Sequence, residues 1–274
     1  MYKGFYINLD EISELINLAS NNDVLSSQNQ IIKKSNDIFK LDSEKIINHI
    51  NNLSSNILDG ENLLKSWFPL FKKEKFHIFL SHSHKDIDLV SKFAGWLYDN
   101  LNLKCFIDSA IWQNAKEIKK VLNEQINEKR DYDKINDISS QIDNMLLSSL
   151  NLMMDSCEVV FFLKSKNSIS NTENEYFKTL SPWIFSELVF TKTLCKKIPK
   201  RHSEMSIGLE GYHKKSYTYG EQFFIQHPAY LDSLKQLSFS DFQIWSGKMN
   251  QHRGNAEKNL DFLYQIVDYN NKWR

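Results

Sequence analysis

The sequence is short of the residues that make tight turns. Eight glycines and four prolines in 274 residues leave little for the many hairpins of an all-β fold, which draw on glycine for positive φ and on proline for a fixed φ. Cysteine is scarcer still and odd in number: Cys105, Cys157 and Cys195 lie far apart. Such cysteines read as reduced thiols, and so as a cytoplasmic location. Neither sign of charge prevails, with 34 Lys and Arg against 34 Asp and Glu. Nothing therefore argues for nucleic acid or an anionic membrane as a partner. The longest apolar runs, such as "VVFFL" at 159–163, are far too short to cross a bilayer. The opening "MYKGFYINLDEISEL" lacks the basic-then-apolar order of a secretory leader.

What is present is a large apolar and aromatic content, 41% and 13%, enough for a substantial core. Residues 1–72 carry helical spacing. Leu9, Ile12, Leu15, Ile16 and Leu18 recur at helical intervals, with Asn8 or Asp10 as the cap. A second run sets Ile31, Ile38, Ile46, Ile50, Leu53 and Ile57 on one broad face before Gly60. Those faces have to be buried, either on the rest of the chain or on a second copy of it. We expect 1–72 to be a helical region that promotes self-association.

From residue 76 the period changes. "FHIFL" reads as a buried strand, "DIDLVSKFAGWLYDNL" as an amphipathic helix and "KCFID" as a second strand. A β-α-β unit of this length makes its strands parallel. Residues 113–155 read as helical. "CEVVFFLKS" reads as a third strand and "PWIFSELVFTKTL" as a helix. "IPKRHSEMSIGLEG" is a candidate fourth strand. "PAYLDSLKQL" and "NAEKNLDFLYQIV" read as late helices. Residues 73–274 are thus expected to form an α/β domain with a doubly wound, flavodoxin-like parallel sheet, core 76–195 and completion 196–274. Ligands of such sheets bind outside the carboxyl ends of the strands. That edge carries Ser81–Lys85, Asp108–Trp112 and Lys164–Asn167.

The first of these segments is the one to interpret. His82-Ser83-His84-Lys85-Asp86 has the His-x-His-x-Asp order of a metallo-β-lactamase-type metal site. That pattern continues with a histidine where this chain has Ile87, and it needs later histidines on glycine-rich turns, which His202, His213, His227 and His252 do not have. No metal is expected. Two readings remain: His82 and His84 are exposed loop residues, or they line a nucleotide pocket, and we prefer the second. No Gly-x-Gly-x-x-Gly occurs, which disfavours a Rossmann dehydrogenase.

"FLSHSHKD", a helix, "KCFID", and then "SCEVVFFLKSKNSIS" followed by "SPWIFSEL" resemble, in that order, the successive parts of a TIR (Toll/interleukin-1 receptor) domain. The resemblance covers about 76–195, extends loosely to 274, and does not include 1–72. It has departures. "SAIWQNAKE" after Asp108 lacks the usual Gly or Pro. The helix before the third strand is longer than usual. Ser83 and His84 stand where some members carry Arg.

The resemblance implies an activity. Many TIR domains, bacterial ones especially, cleave NAD+ between ribose and nicotinamide. Nicotinamide leaves as a neutral molecule, so no general acid is needed, and one carboxylate can stabilise the oxocarbenium transition state. On this likeness Glu187 is the catalytic carboxylate. Trp183, one helical turn away on the same face, would pack on the ribose or nicotinamide. Ser81, His82, Ser83 and His84 would meet phosphate or adenosine, with the backbone N–H of Lys85 near the anion. Asp108 is either a ligand contact or a turn residue. Trp112 either covers the adenine or packs. The expected activity is that of an NAD+ glycohydrolase or ADP-ribosyl cyclase in bacterial antiphage defence. Its cofactor needs go no further than NAD+ as substrate, it self-associates, and an effector downstream senses its product. The alternative is a non-catalytic TIR adaptor that acts by assembly alone.

Overall fold

The computed structural model describes residues 1–20, 75–108, 119–120, 124, 132–171, 177–202, 227–247 and 254–270. Its centre is a five-stranded sheet. In chain order the strands are β1 (Lys3–Asn8), β2 (Ile78–Ser81), β3 (Cys105–Ile107), β4 (Val159–Lys164) and, late in the chain, β8 (Lys235–Leu237). They lie side by side as β3-β2-β4-β1-β8, and every neighbouring pair is parallel. A parallel sheet needs crossovers, and the crossovers put helices on both faces. Accordingly β2 is buried along its whole length, and so are the first five residues of β4.

The two faces of β4 show how the layers are built. Val159, Phe161 and Leu163 point into one core, with Phe5 and Ile7 of β1, against helices α1 (Leu9–Ser20), α2 (Ile87–Leu101), α5 (Phe239–Gly247) and α6 (Ala256–Asn270). Phe162 points the other way, onto Ile184 and Leu188 of helix α4 (Pro182–Thr193). Helix α3 (Tyr132–Ser156) packs beside α4. A small antiparallel sheet, β5 (Ser170–Asn171), β6 (Phe177–Thr179) and β7 (His227–Pro228), flanks α4.

Local chemistry sets the element ends. Asn8 closes β1 and caps α1: the Asp10 N–H donates to Asn8 Oδ1 at 3.2 Å, and Asn8 Nδ2 donates to Glu11 at 2.8 Å. Of the two caps the sequence offers, Asn8 is therefore the one used. Helix α2 stops at Asn102, whose left-handed backbone (φ 55°) is tolerated by Asn better than by most residues. Its side chain then holds the Gly254 carbonyl at 2.9 Å. At the amino end of the sheet, Arg201 joins Glu158 to Asp261, and Tyr264 donates to Glu158 at 2.7 Å. This braces α6 against the entry to β4.

Several expectations need correction. Residues 1–20, the part of 1–72 that is described, do not form a purely helical stretch set apart from the α/β domain. Lys3–Asn8 is a strand of the sheet itself, between β4 and β8, with Phe5 opposite Phe161 and Ile7 opposite Leu163. Phe5 and Ile7 alternate inward as a strand requires, and burying that face outweighs any helical preference. The expected helix over "PAYLDSLKQL" is a 3-10 turn at Leu231–Ser233 followed by β8, because Leu237 pairs with Ile7 of the sheet. The candidate fourth strand falls largely on 203–226, outside the described residues. So do all of the expected second helical run at 31–57, Trp112, and residues 113–118, 121–123 and 125–131 of the expected helical stretch. The strands at 78–81, 105–107 and 159–164 and the helices at 87–101, 182–193 and 256–270 lie where the pattern put them. Among the described residues no helix is long and apolar enough to cross a membrane.

Candidate active site

Strand order reverses at β2: β3 lies on one side of it and β4 on the other. The carboxyl end of β2 is therefore a switch point, where sheets of this kind leave a crevice. Ser81 is the last residue of β2, opposite Phe162. His82 and Ser83 follow, then a short 3-10 turn at His84–Asp86, and α2 starts at Ile87. Lys85 therefore sits inside the 3-10 turn, ahead of the helix. Its N–H faces the Ser83 hydroxyl at 3.4 Å.

Glu187 reaches the same place from α4. That helix starts cleanly: Ser181 caps it by accepting from the Ile184 N–H, and Pro182 stands in the first turn, where its missing N–H costs nothing. The buried residues of α4 are Ile184, Glu187, Leu188 and Thr191. Their spacing is that of one helical face, so a carboxylate occupies the middle of the apolar stripe that faces the core. A carboxylate is rarely fully buried without a partner, and its partner here is Ser81, whose hydroxyl donates a short hydrogen bond to Glu187 Oε2.

Two more polar residues complete the cluster. His82 Nδ1 lies 3.0 Å from the Leu80 carbonyl and 3.6 Å from Asp108 Oδ1. A carbonyl oxygen only accepts, so Nδ1 carries a proton. Asp108 follows β3 directly. Ser81, His82, Asp108 and Glu187 are 1%, 6%, 6% and 2% exposed. Burial, and after it the negative charge of Asp108, push the Glu187 carboxyl well above its ordinary range, and the Ser81 hydrogen bond opposes that rise. Two carboxylates, an imidazole and a hydroxyl thus share one buried site at the carboxyl edge of the sheet. Strongly perturbed groups gather at functional sites more often than elsewhere.

The remaining sequence-predicted residues are placed less tightly. Trp183 lies one turn before Glu187 on α4 and is half-buried. Ser83 is half-buried, and His84 is exposed with its ring 6.4 Å from that of His82, edge to face. Trp112 lies outside the described residues. Among the described residues no group of three or more His, Cys, Asp or Glu is arranged to hold a metal ion.

The sequence places Lys164–Asn167 at this edge but does not show the link that Asp86 makes to it. Asp86, which the sequence places in the His-x-His-x-Asp motif and at the start of a helix, accepts from Ser165 Oγ at 2.5 Å and from Asn167 Nδ2 at 2.6 Å. The run of small polar residues after β4, "SKNS" at 165–168, was the signal. Comparison of the chain with protein families, with curated proteins and with solved structures finds no match.

Proposed function

We propose that the chain is an NAD+ glycohydrolase or ADP-ribosyl cyclase on a TIR-like, flavodoxin-like sheet. One observation carries the reading: Glu187, on the core-facing stripe of α4, meets Ser81 and Asp108 at the switch point of the sheet. The strand order supports it as well. The strands at 105–107, 78–81, 159–164 and 235–237 stand in first, second, third and fifth place across the sheet. They take the corresponding places of a flavodoxin-like 2-1-3-4-5 order, and β1 fills the remaining one.

In this mechanism the C1′–N bond of the nicotinamide riboside moiety breaks and its electron pair goes to the ring nitrogen. Nicotinamide departs neutral and C1′ becomes an oxocarbenium centre. The Glu187 carboxylate stabilises that charge, and the Ser81 hydroxyl aims it. Water then adds to C1′ and loses a proton, giving ADP-ribose. Addition of an adenosine nitrogen or hydroxyl would give a cyclic isomer. Half-buried Trp183 stacks on the departing ring. Ser83, His82 and His84 line the approach to the phosphates, and Asp108 is a polar contact at the far wall. Trp112 belongs to the segment that follows Asp108 and would cover the adenine. The enzyme acts in the cytoplasm in antiphage defence. It self-associates, and a downstream effector senses the product.

A second reading is a non-catalytic TIR adaptor. The observation that favours it is the closure of the cluster, with Glu187 2% exposed and already engaged by Ser81. Incubation of the purified chain with NAD+, following nicotinamide release, separates the two. Release that disappears in Glu187→Gln supports the enzyme, and no release at any protein concentration supports the adaptor.

A further inference from the structure

We propose that Asp86 is a positioning residue for this site, acting through the turn that carries Ser81 and His82. The inference rests on the reading of Glu187 as the reacting carboxylate. Asp86 occupies the residue just before α2, where an aspartate ordinarily caps the helix with its side chain. Here it makes no such capping bond. Both of its oxygens cross the switch point instead, Oδ2 to the Ser165 hydroxyl at 2.5 Å and Oδ1 to the Asn167 amide at 2.6 Å. A carboxylate that gives up its local helix bond for two contacts about eighty residues away in sequence is fixing two segments to each other.

Both segments are built to receive it. On the β4 side, Ser165 is 4% exposed, and its hydroxyl oxygen accepts from the Asn167 and Ser168 N–H groups at 3.1 and 3.2 Å. Its own N–H donates to Ser168 Oγ at 2.8 Å. The loop is thus self-supporting, and it presents one hydroxyl and one amide as donors to Asp86. On the β2 side, the Asp86 N–H closes the turn on the Ser83 carbonyl at 2.9 Å. The turn from Ser81 to Asp86 is therefore held at both ends, by sheet pairing at Ser81 and by the carboxylate at Asp86. Ser81, which touches Glu187, sits at the first anchor, and His82, which faces Asp108, lies between the two. Releasing the Asp86 end lets the turn swing about Ser81, which moves His82 relative to Asp108 and so changes the surroundings of Glu187.

The test uses Asp86→Ser in the full chain. Serine keeps a helix-capping group but is too short to span to Ser165 and Asn167, so α2 is preserved while the clamp is cut. Two readouts are taken: kcat and KM for NAD+ cleavage, and the titration of the Glu187 carboxyl followed by carbon NMR, its signal identified by its loss in Glu187→Gln. We expect kcat to fall by on the order of ten- to a hundredfold, as small misplacements do, with KM changed much less. We also expect the Glu187 titration to move from its wild-type position. Asn167→Ala, which removes one donor from an exposed residue, should move both in the same direction by less, and it decides the matter if Asp86→Ser does not fold. Wild-type kinetics together with an unmoved Glu187 titration in the folded variants would overturn the proposal. If the wild-type chain releases no nicotinamide at all, the enzymatic reading fails, and the NMR titration alone still decides whether Asp86 positions the cluster.

Discussion

Replacing Glu187 by glutamine should make the folded chain more stable at neutral pH while it destroys the activity. Glu187 is buried beside Asp108 and titrates well above its ordinary value. In the unfolded chain it ionises near that ordinary value, 4.5. Between the two, the folded state holds a proton that the unfolded state has released. The contribution of Glu187 to stability is thus fully present below pH 4.5 and is lost as pH rises toward the folded-state pKa. The slope in that window is about 1.4 kcal/mol per pH unit. Glutamine keeps the shape and the acceptor for Ser81 Oγ, but it has no proton to lose, so its contribution is flat. For a domain of this size about 1 kcal/mol corresponds to roughly 2–4 °C in Tm. The gap in Tm between variant and wild type should therefore open by about 3–6 °C for each pH unit above 4.5, until the folded-state pKa is passed. Thermal melts of both proteins from pH 4 to pH 9 measure it. On the proposed activity the same proton would govern catalysis, because the ionised carboxylate is the form that stabilises an oxocarbenium ion. Wild-type kcat/KM should rise with pH while the variant stays flat, so the loss should grow with pH to on the order of a hundredfold or more where Glu187 is ionised. Melting curves that stay parallel across the whole range would show that Glu187 ionises normally in the fold. Near-normal turnover in the variant would remove it from the chemistry.

Other outcomes follow from the same geometry. Ser81→Ala removes the hydrogen bond that favours the ionised form of Glu187, so the rise of kcat/KM should shift to higher pH, and an unshifted profile would deny the contact its role. Exhaustive chelation should leave both Tm and nicotinamide release unchanged, whereas stoichiometric zinc lost together with activity would restore a metal reading of His82 and His84. A Cβ on Gly4 would collide with Leu234 Cδ2. Gly4→Ala should therefore cost about 1–3 kcal/mol in urea unfolding, and Leu234→Ala in the same chain should recover part of it; equal midpoints for wild type and Gly4→Ala would contradict that close approach. A chain starting at Lys73 lacks Phe5, Ile7, Leu9, Ile12 and Ile16, all fully buried. At roughly 1.5–3 kcal/mol each their loss approaches or exceeds the whole stability of a typical domain. That chain should be insoluble or unfolded by circular dichroism, and a folded, active product would refute the placement of β1.

The parts of the fold that the sequence announces are those with long, unambiguous patterns. Phe79, Phe93, Leu97, Phe161 and Phe162 belong to runs whose period admits one reading, and each is buried as its run required. Lys3–Asn8 is different. Six residues that include Lys3 and Gly4 run straight into the cap of a helix, and the helical period beyond Leu9 hides the alternation before it. "LKQL" at 234–237 is equally ambiguous, because three residues of strand are set by the pairing of Leu237 with Ile7 and not by any local preference. Glu187 was found by likeness to a family. It could also have been found physically, as the one acidic residue in the stripe Ile184, Glu187, Leu188 and Thr191. The polar run at 165–168 marks one side of the Asp86 clamp, but the pairing itself is not legible, since the partners lie 79 and 81 residues away and no local window joins them.

The place of β1 in the sheet has a consequence for how the chain is made. Phe5 pairs with Phe161, so 161 − 5 = 156 residues separate the partners. At about 5–20 residues per second, the ribosome needs roughly 8–31 s to deliver β4 after β1 has emerged. Through that interval a strand with two core residues on one face, Phe5 and Ile7, has no lasting partner. Its final neighbour, β8, arrives later still. Long-range parallel pairing of this kind folds slowly and leaves strand edges open to other chains. Lys3, beside those residues, is a charge of the type that guards such edges. Crowded polysomes, more than the finished protein, are where this architecture is most exposed to aggregation.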